Sequence, residues 1–453
     1  MNDRNSEHQL KVIVIGGGAA GFFAAIAAAE TSPNIEVTLL EASGNVLSKV
    51  RISGGGRCNV THACFDPALL VKNYPRGHKE LRGCLTKFQP GDTVDWFEKR
   101  GVKLKTEADG RMFPVTDDSE TIVHCLHSAA IASEVDIRTR SPVVAVRRNI
   151  ADRSPLTPLN KGGINPSLHF SETQRIVEDS PLSYTRQSQR NDGNGFTLQL
   201  KSGEQLHCDR LLLATGSSRT GYQLAQNLGH TIVPPVPSLF TFNIADDRLH
   251  ELAGITVENA TVKLPECKLS QTGPVLITHW GFSGPAVLKL SAYGARELHD
   301  CRYQTPMTID WLSDRNLEEI KQQLQQTKSD RPRQAIATVS PFPLSKRLWQ
   351  YLVQQAAIDP QKRWTELAKK EANRLSDRLK RSQYDIVGKG IFKEEFVTCG
   401  GIKLKEIDFK TMESRICPHL YFAGEILDID GITGGFNFQN AWTTGWIAGN
   451  AIA

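Results

Sequence analysis

Apolar positions near the start of the chain predict a buried strand, a helix and a second strand. The run from Lys11 to Ile15 is short and almost continuously apolar, which is typical of a central parallel strand covered on both faces. The alanine-rich stretch from Phe22 to Glu30 favours a helix, and apolar residues return from Ile35 to Leu40. With the glycine-rich loop between the first strand and the helix, these segments predict a βαβ unit of about 30 residues.

The middle of the chain predicts further strands around a segment without regular structure. The segments from Pro142 to Arg148 and from Phe196 to Leu200 are predicted to be antiparallel strands, and a strand from Leu211 to Leu213 follows. Residues 149–194 are rich in Ser, Pro, Asn, Gly and Gln and poor in aromatic residues. Because such a composition does not favour a packed core, we interpret 149–194 as a disordered insertion at the tip of a hairpin.

The second half of the chain changes character and then returns to the first pattern. Residues 217–385 begin with strands and turns and continue with charged, helix-forming sequence, in which the segment from Arg363 to Arg381 is a clear amphipathic helix. The end of the chain again has a strand, from Leu420 to Ala423, then a glycine and a helix from about Phe438 to Ile452. We therefore predict a discontinuous nucleotide-binding domain into which residues 217–385 are inserted.

The loop after the first strand has the glycine spacing of a dinucleotide-binding site. In such a loop the first glycine permits a tight turn, the second lets the backbone approach a pyrophosphate, and the third allows the helix to pack closely on the strand. The predicted phosphate-binding residues are Gly16, Gly18, Ala19, Ala20 and Gly21. Glu41 follows the loop by about 20 residues, at the end of the second strand, where a carboxylate accepts hydrogen bonds from a ribose hydroxyl.

Two later segments favour FAD over NAD(P), which shares the same glycine fingerprint. One is the strand that ends in Ala-Thr-Gly, a form seen in two-lobed FAD enzymes. The other is a late strand that ends in Gly-Glu, where flavoproteins usually have Gly-Asp and the acid meets the ribityl chain. A glycine-led helix then presents N–H groups that can stabilise negative charge on a flavin ring. The predicted FAD contacts here are Ala214, Thr215, Gly216, Gly424, Glu425, Gly434, Gly435, Phe436 and Asn437.

Four motifs carry a resemblance to a known family. The most specific is Ile52–Thr61 (ISGGGRCNVT), and the others are Gly110–Pro114 (GRMFP), Thr278–Pro285 (THWGFSGP) and Thr398–Ile402 (TCGGI). On these motifs the chain resembles the bacterial NAD(P)/FAD-dependent oxidoreductases that include BaiN-like and aminoacetone oxidase-like flavoproteins. His62 departs from the family, which more often has Asn after the Thr.

The resemblance implies a fold of the α/β class. A Rossmann-like two-lobed FAD-binding domain, formed by residues 1–216 and 386–453, would be interrupted by an inserted β-rich (α+β) domain at 217–385. The resemblance covers nearly the whole chain apart from 149–194, and it indicates the cofactor more firmly than the reaction.

The most specific motif also supplies candidate contacts to FAD or to substrate. Its glycine N–H groups and the Arg57 guanidinium suit anionic or carbonyl oxygens, with a purely structural glycine turn as the alternative. Lys49 either reaches a phosphate or is solvated. The candidate cofactor contacts in this region are Lys49, Ser53, Gly54, Gly55, Arg57, Cys58 and Asn59.

A cysteine and a histidine in these motifs invite a catalytic interpretation. Cys58 and Cys64 have one more residue between them than the redox pair of flavin disulfide reductases, so Cys58 is predicted to be a small packed residue rather than a redox thiol. His279 can accept or donate a proton near neutral pH and is the candidate catalytic residue, with a structural role as the alternative.

Composition and charge argue against several classes of protein. The chain has 453 residues and a formal net charge of +5 without a dense basic stripe, so no nucleic-acid partner is expected. Its nine cysteines form no CxxC pair, so no metal site or disulfide framework is predicted and a reducing, cytoplasmic location is expected. The sequence has no signal peptide and no run of about 18 apolar residues, so no membrane association is expected.

These observations together predict an FAD-dependent oxidoreductase that transfers a hydride between flavin and a small organic substrate. Residues 217–385 contain no second GxGxxG loop, so NAD(P)H would act only as a transient reductant without its own Rossmann domain. Two alternatives stay open: a flavin-dependent tRNA-modifying protein and a flavin redox sensor without turnover. The sequence makes no prediction about the oligomeric state.

Overall fold

A computed structural model describes residues 9–149, 195–390 and 397–453. Residues 150–194 of the predicted disordered insertion (149–194) lie outside the described residues. The chain forms two cores. The split domain combines residues from both ends of the chain, and the insert occupies the middle of the sequence.

The split domain contains most of the helices and strands. Its strands are β1 (Leu10–Ile15), β2 (Ile35–Leu40), β3 (Thr61–His62), β4 (Leu104–Thr106), β5 (Arg111–Pro114), β6 (Asp136–Arg138), β7 (Val143–Asn149), β8 (Gly195–Leu200), β9 (Gln205–Cys208), β10 (Arg210–Leu213) and β11 (Ile232–Ser238). Its helices before the insert are α1 (Ala19–Thr31), α2 (Ser48–Gly56), α3 (Pro67–Leu70), α4 (His78–Leu85), α5 (Pro90–Glu98), α6 (Ser119–Ala132) and α7 (Arg219–Asn227).

The insert and the end of the chain complete the element order. The strands of the insert are β12 (Phe242–Ile244), β13 (Thr256–Leu264), β14 (Leu269–Thr278), β15 (Gly281–Ser283), β16 (Thr305–Asp310) and β17 (Ser382–Lys389). Its helices are α8 (Asp247–His250), α9 (Pro285–Tyr293), α10 (Ala295–Asp300), α11 (Leu317–Asp330), α12 (Lys346–Gln355) and α13 (Lys369–Arg381). The chain ends with β18 (Val397–Ile402), β19 (Ile407–Asp408), β20 (Glu413–Ser414), β21 (Leu420–Phe422) and α14 (Phe436–Ile452).

The centre of the split domain is a seven-stranded sheet in the order β19-β20-β21-β10-β1-β2-β6. Strand β1 pairs in parallel with β2 on one side and with β10 on the other, and β10 pairs in parallel with β21. Val12 and Val14 are buried between these neighbours, which confirms the predicted central strand. The predicted βαβ unit is confirmed, as is the antiparallel pairing of β7 with β8.

The last helix of the chain completes the domain that the first strand begins. Helix α14 packs directly on α1, and glycines make the close approach possible. A Cβ atom at Gly445 would lie 2.7 Å from the carbonyl oxygen of Ala20, and one at Gly449 would lie 2.4 Å from that of Ala24. The alanines of α1 present equally small side chains, so the two helices meet almost backbone to backbone. The predicted discontinuous domain therefore has its physical basis in this contact.

The insert is a closed barrel of six strands in the order β12-β15-β14-β13-β16-β17. Three helices, α11 to α13, lie between β16 and β17 and bury the indole rings of Trp311, Trp349 and Trp364. Helix α13 begins at Lys369, later than the predicted Arg363, because a short 3₁₀ helix at Trp364–Glu366 precedes it. Strands β11 and β18 pair antiparallel where the chain enters and leaves the insert.

The change of core falls after α7. Tyr222 and Leu224 of α7 pack in the core of the split domain, whereas the core of the insert runs from Phe240 to Ile386. The insert therefore starts later than the predicted residue 217. None of the helices in the described ranges is long and apolar enough to cross a lipid bilayer.

Candidate functional site

A cavity of about 1080 Å³ lies between the split domain and the barrel. Its floor is built from the loop after β1, the start of α2, the ends of β10 and β21 and the start of α14. Its other side is formed by the barrel. Because ligand cavities for single small molecules rarely exceed about 1,000 Å³, this space is large enough for an extended cofactor and a substrate together.

The three glycines of the first loop occupy different environments. A Cβ atom at Gly16 would lie 2.4 Å from the carbonyl oxygen of Ala214, and one at Gly21 would lie 1.9 Å from that of Gly16. At Gly18, by contrast, a Cβ atom would meet nothing within 4 Å, and this residue faces the cavity. Gly16 therefore allows the loop to lie against the end of β10, and Gly21 allows α1 to lie against the loop. The open space beside Gly18, between the loop and the start of α1, is called the cradle below. Ala19 and Ala20, at the start of α1, also line the cavity.

Glu41 is held at the edge of this cradle. One carboxylate oxygen accepts a hydrogen bond from the N–H of Gly17 at 2.8 Å, and the other accepts one from the N–H of Ser43 at 2.8 Å. Both contacts come from the backbone, so the side chain is fixed beside the start of α1. That is the position in which a carboxylate can meet the ribose of a nucleotide whose phosphates lie on the helix.

The cradle fits the pyrophosphate of FAD. Gly18 precedes α1 without a capping side chain, so the first N–H groups of the helix are available to an anion. The open space beside Gly18 lets a phosphate approach the backbone closely. When bound, FAD supplies the acceptance and donation of a hydride, and the protein supplies its position and surroundings.

Lys49 and Glu425 both line the cavity and bind each other. The Lys49 Nζ atom lies 2.6 Å from Glu425 Oε2, and Glu425 Oε1 accepts the N–H of Thr398 at 3.1 Å. The structure therefore shows a protein partner for each of two side chains that were predicted to contact FAD. The contact of Lys49 with a phosphate and that of Glu425 with the ribityl chain stay predictions.

Arg57 does not line the cavity, and its guanidinium has partners within the protein, so its predicted contact with FAD or substrate stays a prediction. It pairs with Glu107, with Arg57 Nη1 and Glu107 Oε1 at 2.6 Å, and its guanidinium carbon lies 4.0 Å from the centre of the Phe113 ring. The sequence motif did not reveal these partners because they lie far along the chain. The neighbouring Ser53 and Asn59 do line the cavity.

Cys58 is also outside the cavity wall. It is buried, and burial raises the pKa of its thiol to about 12, so it is an inert packed residue as the cysteine spacing predicted. Four further predicted contacts also do not line the cavity, namely Gly21, Gly54, Gly55 and Phe436, and the contacts of these residues and of Cys58 with FAD stay predictions. Phe436 instead stacks on the ring of His62, with centroids 4.8 Å apart.

The start of α14 closes the floor of the cavity. Gly434, Gly435 and Asn437 line it, together with Gly424 from the end of β21. The Asn437 side chain is committed to the backbone of Gly431, accepting its N–H at 2.8 Å and donating to its carbonyl oxygen at 2.9 Å. Ala214, Thr215 and Gly216 line the same floor from the end of β10.

The barrel contributes a wall of the cavity, and the residues that form it were not among the predicted cofactor contacts. We call this the barrel wall; it consists of Thr241, Leu276, Thr278, Trp280, Leu288 and Lys389. Thr278 and Trp280 belong to the motif THWGFSGP, which was the available signal, whereas the other four stand in no recognisable motif. His279, the candidate catalytic residue of the same motif, is exposed and does not line the cavity; its ring centre is 6.4 Å from that of Trp280.

Two family models match the chain and account for both domains. The HI0933-like protein Rossmann domain matches residues 10–162, and the HI0933-like protein barrel and H2TH domain matches residues 236–397. The chain belongs to the HI0933-like family. The resemblance carried by Ile52–Thr61 and the later motifs is confirmed.

The relatives of this HI0933-like chain include enzymes that act on different substrates. It is 26% identical over 453 residues to the 3-dehydro-bile acid delta(4,6)-reductase of Clostridium scindens, covering 98% of this chain and 99% of the relative. It is 28% identical over 451 residues to the ribosomal RNA dihydrouridine synthase of Haemophilus influenzae, covering 97% and 98%. A flavocytochrome c3 fumarate reductase structure aligns with 99% of this chain and 78% of its own at a TM-score of 0.47 and 15% identity.

The HI0933-like protein is an FAD-dependent oxidoreductase. The residues that would hold FAD are those of the cavity floor, from the cradle at Gly18 and Glu41 to the start of α14 at Gly434 and Gly435. Within the described ranges no group of His, Cys, Asp or Glu side chains could hold a metal ion.

Proposed function

We propose that this protein reduces a carbon–carbon double bond conjugated with a carbonyl group, in a small and largely apolar organic molecule. The observation that carries the proposal is a pair of hydrogen-bond donors in an apolar surface. Thr241 immediately precedes β12, whose first residue Phe242 pairs with Lys389 of β17, and both Thr241 and Lys389 line the cavity with Leu276, Trp280 and Leu288. An apolar ring with one carbonyl oxygen matches such a surface.

The Thr241 hydroxyl is suited to bind that oxygen. It is buried and has no hydrogen-bond partner among the described residues, although Thr241 lines the cavity. The N–H of Gly390 donates to the carbonyl oxygen of Thr241 at 3.0 Å, which holds the two strands together next to Lys389. An unpaired buried hydroxyl costs free energy, and a bound acceptor would remove that cost.

Hydrogen bonds to the carbonyl oxygen would also assist the reaction. They draw electron density from the conjugated double bond and stabilise the negative charge that develops on the oxygen as hydride adds to the distant carbon. The Thr241 hydroxyl and the Lys389 ammonium would supply these donors. Trp280, whose side chain is exposed at the rim, would cover one face of the substrate.

The names of the two relatives support the same reaction class. A delta(4,6)-reductase of a 3-dehydro steroid acts on double bonds conjugated with a ketone. Dihydrouridine differs from uridine by reduction of a ring double bond next to a carbonyl group. We further propose NAD(P)H as the reductant of the flavin. Its binding would be transient, because the insert is a barrel and provides no second Rossmann domain to hold it.

A second candidate function is the same reduction on a uracil base of RNA. The observation that favours it is the charge of residues 312–381, between β16 and β17, which carry a net charge of +7 while the whole chain carries +5. A strongly basic module attached to a less basic enzyme is typical of binding to phosphate backbones.

The reaction class is tested by anaerobic stopped-flow mixing. Holoenzyme reduced by light is mixed with 4,6-androstadiene-3,17-dione, with the saturated androstane-3,17-dione as matched control, and with a uridine-containing RNA hairpin. We expect the flavin absorbance to recover with a conjugated acceptor but not with the saturated ketone, and the product to gain two hydrogens by mass. Recovery with neither the dienone nor the RNA, in enzyme that oxygen reoxidises normally, would overturn the proposal.

A further inference from the structure

We propose that one corner of the insert is a docking surface for the phosphate backbone of double-stranded RNA. The inference deepens the second candidate function and rests on it. The helical module, residues 312–381, contains fifteen Lys and Arg and eight Asp and Glu, a net charge of +7. Since the whole chain has a net charge of +5, the remainder carries −2. The basic charge is therefore concentrated in one part of the fold.

Five side chains form what we call the basic corner: Arg331, Arg333, Arg363, Lys369 and Lys370. All five are exposed, and the structure records no ion pair for any of them within the described ranges. Several other cations of the module differ, because they are paired with an acid or bound to the backbone. Lys362, for example, binds Glu371 with Nζ and Oε1 at 2.8 Å, and Lys380 pairs with Asp310.

Backbone contacts bring these five residues together although the sequence spreads them over two segments. The N–H of Thr365 donates to the carbonyl oxygen of Pro332 at 3.0 Å, and Ala335 pairs with Arg363 as an antiparallel bridge. Lys328, near the end of α11, donates to the carbonyl oxygen of Leu367 at 2.7 Å, just before α13 begins. The absence of a basic stripe in the sequence argued against a nucleic-acid partner, but the fold assembles the charge from separate segments.

The chemistry of the basic corner favours a duplex backbone over other anions. The guanidinium groups of arginine and the ammonium groups of lysine both bind phosphate oxygens. The module exposes no large hydrophobic side chain; the exposed ones nearest in sequence are Trp280 and Val387, outside it. Amphipathic membrane-binding surfaces combine basic residues with apolar side chains that insert between lipids, and proteins that bind single strands offer aromatic rings on which bases stack. The basic corner offers neither, so it fits a helix recognised by its phosphates.

The distance between the helical module and the cavity fits a macromolecule. Strand β17 begins at Ser382, where its hydroxyl accepts the Trp311 Nε1 proton at 3.0 Å beside the helices, and ends at Lys389 in the barrel wall. At about 3.3 Å per residue, the two ends are roughly 23 Å apart. No residue of the helical module lines the cavity, so a small substrate bound among the lining residues leaves the module untouched, whereas an RNA helix with a base extruded into the cavity can contact both.

Binding of a fluorescent RNA duplex to the FAD-loaded protein tests the proposal. The variant Arg331→Gln, Arg333→Gln, Arg363→Gln is compared with Lys79→Gln, Arg82→Gln, Lys99→Gln, which removes the same charge from exposed positions of the split domain. We expect the first variant to bind on the order of tenfold or more weakly and its salt slope to fall by about 3, while the control binds like the wild type.

Three results would overturn the docking surface: no RNA binding by the wild-type protein, equal losses in both variants, or binding to phosphatidylglycerol vesicles in place of RNA. Flavin absorbance and reduction of 4,6-androstadiene-3,17-dione serve as folding controls. If the dienone is reduced but RNA does not bind, the docking surface alone fails. If RNA binds through the basic corner but no conjugated acceptor is reduced, the proposed reaction alone fails.

Discussion

Lys49 and Glu425 join two distant parts of the chain across the edge of the cavity, with Nζ and Oε2 2.6 Å apart. Lys49 lies on α2 and Glu425 follows β21, and the Glu425 carboxylate also accepts the N–H of Thr398 at the start of β18. Three segments that surround the cavity therefore meet at one carboxylate. Since the Lys49 side chain is 55% exposed, the pair contributes little to folding stability, on the scale of surface ion pairs.

Replacing this lysine should separate cofactor binding from stability. Lys49→Met leaves the Glu425 carboxylate without its ammonium next to the expected pyrophosphate. We expect FAD to bind about tenfold more weakly, equivalent to ~1.4 kcal/mol, and the unfolding midpoint of the apoprotein to stay within error. Fluorescence titration of apoprotein with FAD measures the first and urea unfolding the second. Lys49→Arg should restore affinity; unchanged FAD affinity in Lys49→Met would refute a role for this cation.

The glycine loop predicts opposite effects for two similar substitutions. Gly18→Ala adds a methyl group in open space, so the fold should keep its stability while the methyl obstructs the pyrophosphate and FAD affinity falls at least about tenfold. Gly21→Ala places its methyl 1.9 Å from the carbonyl oxygen of Gly16, so the protein itself should lose about 1–3 kcal/mol of stability. Thermal unfolding of the apoproteins distinguishes them, and equal melting temperatures would contradict the prediction.

The Thr241 hydroxyl should matter for turnover and not for the cofactor. Thr241→Val keeps the shape of the side chain and removes the donor, and we expect kcat for a conjugated ketone to fall on the order of 100-fold while the flavin spectrum is unchanged. Thr278→Val is the matched control, because the Thr278 hydroxyl already donates to the carbonyl oxygen of Gly281 at 3.1 Å. If Thr241→Val and Thr278→Val lower kcat equally, the Thr241 hydroxyl is not the donor to the carbonyl oxygen of the substrate.

A buried ion pair near the cavity should be costly to break. Asp430 is fully buried; it pairs with Arg76 and accepts the Ser238 hydroxyl at 2.8 Å. Asp430→Asn leaves the Arg76 charge uncompensated, and we expect a loss of about 3–5 kcal/mol in urea unfolding. The exposed pair of Asp136 and Arg138 provides the control, since Asp136→Asn should cost less than about 1 kcal/mol. If Asp430→Asn and Asp136→Asn lose similar free energies of unfolding, the pair of Asp430 and Arg76 does not behave as a buried ion pair.

Acid should destabilise the protein partly through His230. This imidazole is buried between Glu406, at 3.1 Å, and Ser414, at 2.8 Å, and burial lowers its pKa below the ordinary value of 6.5 although Glu406 opposes the shift. Below pH 6.5 the unfolded chain takes up a proton that the folded protein does not, so this contribution is intact above pH 6.5 and stability falls on acidification.

Urea unfolding from about pH 7 to about pH 5 measures this effect, which is limited to ~1.4 kcal/mol per pH unit for one group. We expect His230→Gln to flatten the profile, whereas His124→Gln, at an exposed helix position, should run parallel to the wild type. Parallel profiles for His230→Gln and the wild type would show that another group is responsible.

Local patterns predicted the βαβ unit and several of the residues that line the cavity. Strand β2 occupies the predicted Ile35–Leu40, and Gly18 and Glu41 face the cavity, because a βαβ unit determines its own geometry over a short stretch of chain. The closure of the barrel escaped prediction because β12 has only three residues, and its partners β15 and β17 lie about 40 and 145 residues further along the chain. The partners of Arg57 were unpredictable for the same reason, since Phe113 and Glu107 lie about 50 residues further along the chain.

The packing of α14 on α1 has a consequence for how the protein is made. A ribosome releases β1, β2 and the glycine loop long before it releases α14, the helix that covers α1. The barrel has all of its strands by Lys389 and can fold while synthesis continues. The split domain therefore begins to be translated before the barrel and can be completed only after it, once α14 has been released to cover α1.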